Sequence, residues 1–123
     1  MTPDDFTALA KGLGPSVQSK TIFETVQFRV GGKAFATSGW PAVGWAVVKV
    51  APLRQAWALS LSDGVAPEPG RRRKAGIVLM RLAVIDEAVA SELLAAAWSF
   101  AHGAATRRVR AVASSAVAGR LSA

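Results

Sequence analysis

Cysteine is absent from this 123-residue chain, and histidine occurs once, at His102. The first absence excludes disulfides, thiolate metal sites and a thiol nucleophile, and it suits a reducing, cytoplasmic setting. The second leaves no imidazole pair for zinc and no base partner for the serines. Long apolar runs are missing too. The most apolar stretch, Ile77 to Ile85, is interrupted by Arg81, and nothing approaches the roughly 18 residues that span a bilayer. The opening MTPDDF is acidic and polar, unlike a secretory leader. Acids are few: Asp4 with Asp5 and Asp86 with Glu87 fall at expected helix starts, where carboxylates act as caps. The turn in VGGKAF has neither the spacing of a phosphate-binding loop nor a following helix. The expectation is a non-enzymatic protein with no cofactor, no metal and no membrane segment.

What the chain does have is apolar mass and localised charge. At 51% hydrophobic it can bury a core of one domain. The formal net charge is +7. Residues 1–70 are nearly neutral, with six basic and five acidic side chains. The excess sits in the run Arg71, Arg72, Arg73 and Lys74, and in a tail, 103–123, with four arginines and no acid. Such charge attracts phosphate or acidic protein surface, or serves solubility alone.

Local patterns order the elements, and no internal repeat interrupts them. Thr2, Pro3, Asp4 and Asp5 open a helix whose stripe is Phe6, Leu9, Ala10 and Leu13, ended by Gly12, Gly14 and Pro15. Residues 17–26 read as one extended run. FRV-GG-KAF reads as a hairpin with a two-residue turn. It pairs Val30 with Lys33 and Phe28 with Phe35, with Phe28, Val30 and Phe35 on one face and Arg29, Ala34 and Ala36 on the other. SGWPAVG is a loop, in which Trp40 caps a sheet edge. WAVVKV is a strand, and APLRQAWALSLS a short helix with Leu53, Ala56, Trp57 and Leu61 inward. DGVAPEPGRRRKAG is a long loop and IVLMRLAV a strand. The last helix, DEAVASELLAAAWSFAH, presents Val89, Leu93, Ala96, Ala97 and Phe100, with His102 at its end, where an imidazolium suits the dipole. Trp57 and Trp98 fall on buried stripes. The order helix, strands, helix, strand, helix predicts an α+β domain: an antiparallel sheet with helices packed on one face.

FRVGGKAFATSGW, then GWAVVKV, a proline-started helix, a PEPG loop, a strand and DEAVASELLAAAW together resemble the MmcQ/YjbR family across residues 1–102. The resemblance implies a small α+β domain similar to type III secretion chaperones, in a family often labelled DNA-binding. RRRKAGIV stands where the family commonly has an aromatic residue and a short Thr or Trp motif. The extension 103–123 lies beyond the resemblance, and an added helix, a disordered arm and sequence of no structural meaning are all open for it.

Two functions follow from the residues. Alternation that turns Ala46, Val48 and Val50 toward the helices turns Trp45, Val47 and Lys49 away, together with Ile77, Leu79, Arg81 and Arg29. The opposite parity would undo this face. One reading is non-specific DNA or RNA binding. Arg71, Arg72, Arg73 and Lys74 then meet phosphates, Arg29, Lys33, Lys49 and Arg81 support them, and Trp45 stacks on a base. Arg107, Arg108 and Arg110 of the tail are the competing cations. No helix-turn-helix or zinc-finger signature supports groove readout. The other reading is a protein-interaction or homodimeric module that covers the apolar centre of that face.

Overall fold

The computed structural model describes residues 1–68 and 76–122, with side chains through residue 104. Six antiparallel strands lie in the order β1-β2-β3-β4-β6-β5: β1 Gln18–Ile22, β2 Thr25–Val30, β3 Lys33–Ser38, β4 Trp45–Lys49, β5 Val65–Pro67 and β6 Ile77–Arg81. Helix α1 is Pro3–Lys11, α2 is Gln55–Ser60 after a 3-10 turn at Pro52–Arg54, and α3 is Glu87–Ser122. The helices contact the sheet through one face, so the expected α+β architecture is the observed one.

The start of α1 follows from two residues. Thr2 accepts a hydrogen bond from the Asp5 amide at 3.1 Å, and its own amide donates to the Asp5 carboxylate at 2.9 Å. The Thr2 amide first, and its side chain second, hold the Asp5 carboxyl below its ordinary range. Phe6 and Ala10 are thereby driven into the core, where Phe6 meets Phe28 edge-on at 6.0 Å between ring centres.

The Gly31–Gly32 turn forms as expected, with φ of 56° and 77° and Val30 opposite Lys33. The register then shifts between Arg29 and Phe28, so that Phe28 faces Ala36 and Phe35 is the extra residue of a bulge. Phe28 and Phe35 still join one core. Ala36, expected on the outer face, is buried inside with them. Gly31→Val should cost about 1 kcal/mol or more, because a β-branched residue resists positive φ. A thermal melt checks this, and an unchanged midpoint would reject the turn assignment.

Other expectations are corrected. Residues 17–26 are two strands, β1 and the start of β2, reversed at Phe23–Glu24. Phe23 has φ 56°, and the Thr25 hydroxyl donates to the Ile22 carbonyl at 2.7 Å. The long loop contains β5, which pairs with β6 through Val65–Met80, Ala66–Leu79 and Pro67–Val78. Leu53 is exposed, because it lies in the 3-10 turn and out of phase with α2; Ala58 is buried instead, and Ala56 is exposed. Trp40 follows β3, an interior strand, so it caps no sheet edge. On α3 the fully buried stripe is Ala90, Leu93, Leu94, Ala97 and Ala101, with Val89 and Ala96 beside it and Phe100 half-buried.

Helix α3 does not stop at His102. It continues through Gly103 to Ser122, so the extension is helical and joins the domain without a break. His102 is therefore mid-helix and not at a dipole terminus. Its ring stacks on Trp98 at 4.6 Å. Its 36 residues make α3 about 54 Å long, against a sheet width of about 29 Å for six strands, so the helix runs past the sheet. Among the described residues no helix is long and apolar enough to cross a membrane.

Candidate functional site

Among the described residues the helices pack on one side, and no described helix lies on the other face of the sheet. The parity is as expected. Ala46, Val48 and Val50 are buried beneath the helices, as are Val78 and Met80. On the open face, pairing sets Trp45 opposite Arg81, Val47 opposite Leu79 and Lys49 opposite Ile77. Thr37 lies beside Val47, Gln27 beside Thr37, and Lys20 beside Gln27. One row therefore crosses the sheet as Lys20, Gln27, Thr37, Val47, Leu79 and Ala66.

The centre of this face is only partly open. Ile77 and Leu79 are 4% and 8% exposed, while Trp45 and Val47 are half-buried. Cations surround that centre. The Arg29 guanidinium donates through Nε to Gln27 Oε1 at 2.7 Å, which holds it along the sheet. Arg81 lies 6.0 Å from the centre of the Trp45 ring, at the limit of a cation–π contact. Lys49 and Lys20 are exposed. Lys20 was not anticipated from sequence: its parity follows only once the Phe23–Glu24 reversal is placed. Lys33 departs from the group. It pairs with the buried Val30 and so lies on the helix-bearing side. Arg71, Arg72, Arg73 and Lys74 lie outside the described residues. Arg107, Arg108 and Arg110 belong to the later turns of α3.

A shallow cavity of about 250 Å³ opens on the same face, lined among others by Gln27, Thr37, Trp40, Val47, Lys49 and Glu68. Trp40, 40% exposed, forms part of its wall. Glu68 extends the β5 edge, its amide donating to the Ile77 carbonyl at 3.5 Å. Its side chain is 7% exposed, and its Oε2 has no hydrogen-bond partner among the described residues. Sequence reasoning did not find Glu68. The available signal was an acid inside an apolar, strand-forming VAPE segment. Among the described residues no three His, Cys, Asp or Glu side chains converge as metal ligands would.

A second groove lies on the helix side, where the Arg54 guanidinium stacks 4.1 Å from the Trp57 ring centre. It contains no buried polar atom without a partner among the described residues.

No family model and no curated protein matches the chain. A crystal structure of a structural-genomics target protein from Pseudomonas syringae is similar, with a TM-score of 0.64 and 13% sequence identity, across 82% of this chain and 99% of that one. At that identity the similarity is one of fold.

Proposed function

We propose that this chain is a non-enzymatic, cytoplasmic, MmcQ/YjbR-like protein that binds single-stranded nucleic acid across its open sheet face. The observation that carries this reading is the register. Lys20, Arg29, Lys49 and Arg81 share the helix-free face with Trp45, and Trp40 walls its cavity. A strand laid on a sheet gains stacking on aromatic rings and phosphate contacts to cations, without reading sequence. Duplex is the poorer ligand, because recognition of its major groove needs an inserted helix or ribbon. The run Arg71 to Lys74 follows Glu68 closely in the chain and brings four further cations to it in sequence.

The homodimer or protein-interaction reading rests on the apolar centre. It is weakened because Ile77 and Leu79 are already buried within one chain, while Trp45, Val47 and Ala66 are half-buried. Salt separates the two. Anisotropy of a labelled thymidine oligonucleotide should show binding that falls steeply between about 50 mM and about 200 mM salt, while an apolar interface between copies would persist in sedimentation at either concentration. Binding of no oligonucleotide at low salt would reject the proposal.

A further inference from the structure

Among the described residues Glu68 is the one acid lining the cavity of the open face, and its burial asks for an explanation. A buried carboxylate oxygen without a hydrogen-bond partner is costly, and native structures hold few such groups. A carboxylate accepts hydrogen bonds and donates none, so its complement is a donor, best a pair of adjacent donors. The cavity that Glu68 lines also presents the half-exposed ring of Trp40 and, on its rim, the exposed Lys49. These are three parts of one recognition unit: a ring to stack on, an acceptor for a planar edge, and a cation for a phosphate.

We propose that this cavity is a guanine subsite. The proposal rests on the reading of the face as a single-strand platform and names the base it prefers. Extruded bases are recognised by stacking and by hydrogen bonds to the Watson–Crick edge. Guanine alone among the usual bases carries two adjacent donors there, N1–H and the N2 amino group, which match the two oxygens of a carboxylate. Cytosine, adenine and thymine or uracil each offer a single donor group there with an acceptor next to it, and an acceptor set against the carboxylate repels it. The volume of about 250 Å³ suits one base and not a larger ligand.

The test compares thymidine oligonucleotides carrying one central guanosine, inosine or adenosine. Guanosine should bind about tenfold more tightly than adenosine. Inosine, which lacks the N2 amino group, should fall between them. Glu68→Gln, which introduces a donor at the acceptor, should bring the three together, with a thermal melt reporting its folding; the wild-type comparison decides the matter should that variant unfold. Equal affinity of the wild type for the three strands overturns the subsite and leaves the platform standing. A preference that survives Glu68→Gln also overturns it. Guanosine monophosphate, followed by tryptophan fluorescence, separates the remaining cases. If it binds the wild type and not Glu68→Gln while no strand binds, the subsite holds and the platform falls. If neither the mononucleotide nor any strand binds, both fall, and Glu68 is satisfied by a donor of the chain itself.

Discussion

Gly76→Ala should destabilise the protein by about 3 kcal/mol, a large share of the roughly 5–15 kcal/mol that separates folded from unfolded domains. Gly76 is buried just before β6, with φ +81°. Its carbonyl accepts from the Val50 amide at 2.9 Å, so the end of β4 is clamped to the start of β6. A methyl group at position 76 would collide with the Val50 carbonyl oxygen and sit 3.1 Å from the Pro52 nitrogen. Both are backbone atoms, and Val50 is itself in the core, so neither can swing aside. The left-handed conformation costs an L-residue about 1–2 kcal/mol, and forced backbone displacement adds about 1–3 kcal/mol. Gly32→Ala is the control, since Gly32 has φ +77° but nothing within 4 Å of the added carbon. It should lose only the dihedral part. Urea unfolding reads both, with a midpoint lowered by about 2 M for Gly76→Ala at a slope of about 1.5 kcal/mol per M. Equal losses in the two variants would reject the collision.

The same contrast shows which parts of this fold were legible in the residues. Features set by local chemistry were readable: the Thr2 cap at the start of α1, the Gly31–Gly32 turn and the alternation of Ala46, Val48 and Val50. Each depends on residues within a few positions. Features set by distant partners were not. The Phe23–Glu24 reversal contains no glycine, proline or asparagine, so nothing punctuates it. β5 is three residues long and ends in Pro67, which as an edge strand it tolerates. The bulge at Phe35 breaks the period of two on which parity arguments depend. The last helix was read only as far as His102, yet it continues through Gly103, because a helix tolerates one internal glycine at about 1 kcal/mol. The site was half legible for the same reason. Trp45, Lys49 and Arg81 follow from strand alternation, and Arg29 from the hairpin. Lys20 and Glu68 needed strands that the sequence does not announce.

Replacing Lys20, Arg29, Lys49 and Arg81 together by glutamine should weaken binding of a thymidine oligonucleotide by about a thousandfold at low salt and flatten its salt dependence. Each phosphate neutralised on a single strand contributes about −0.7 to the log–log slope, so the loss of four contacts removes about 2.8 from it. The fold should persist, since three of the four side chains are exposed and the fourth, Arg29, is half-buried and hydrogen-bonds to Gln27; surface changes of this kind stay within about 0.5 kcal/mol. Two parallel variants make the outcome decisive. One replaces Arg71, Arg72, Arg73 and Lys74, and the other replaces Arg107, Arg108 and Arg110. Substitution is preferable to truncation after His102, because α3 runs through that point unbroken and removing half of it would disturb more than charge. A platform on the sheet requires the face variant to lose the most. A loss confined to the loop or the tail variant, with the face variant unchanged, would reject the sheet platform. The reason to expect the face is geometric. Its cations are fixed by strand register around two tryptophans, so a strand that meets one of them is already aligned with the others, and ordering the ligand costs least where the contacts are preorganised.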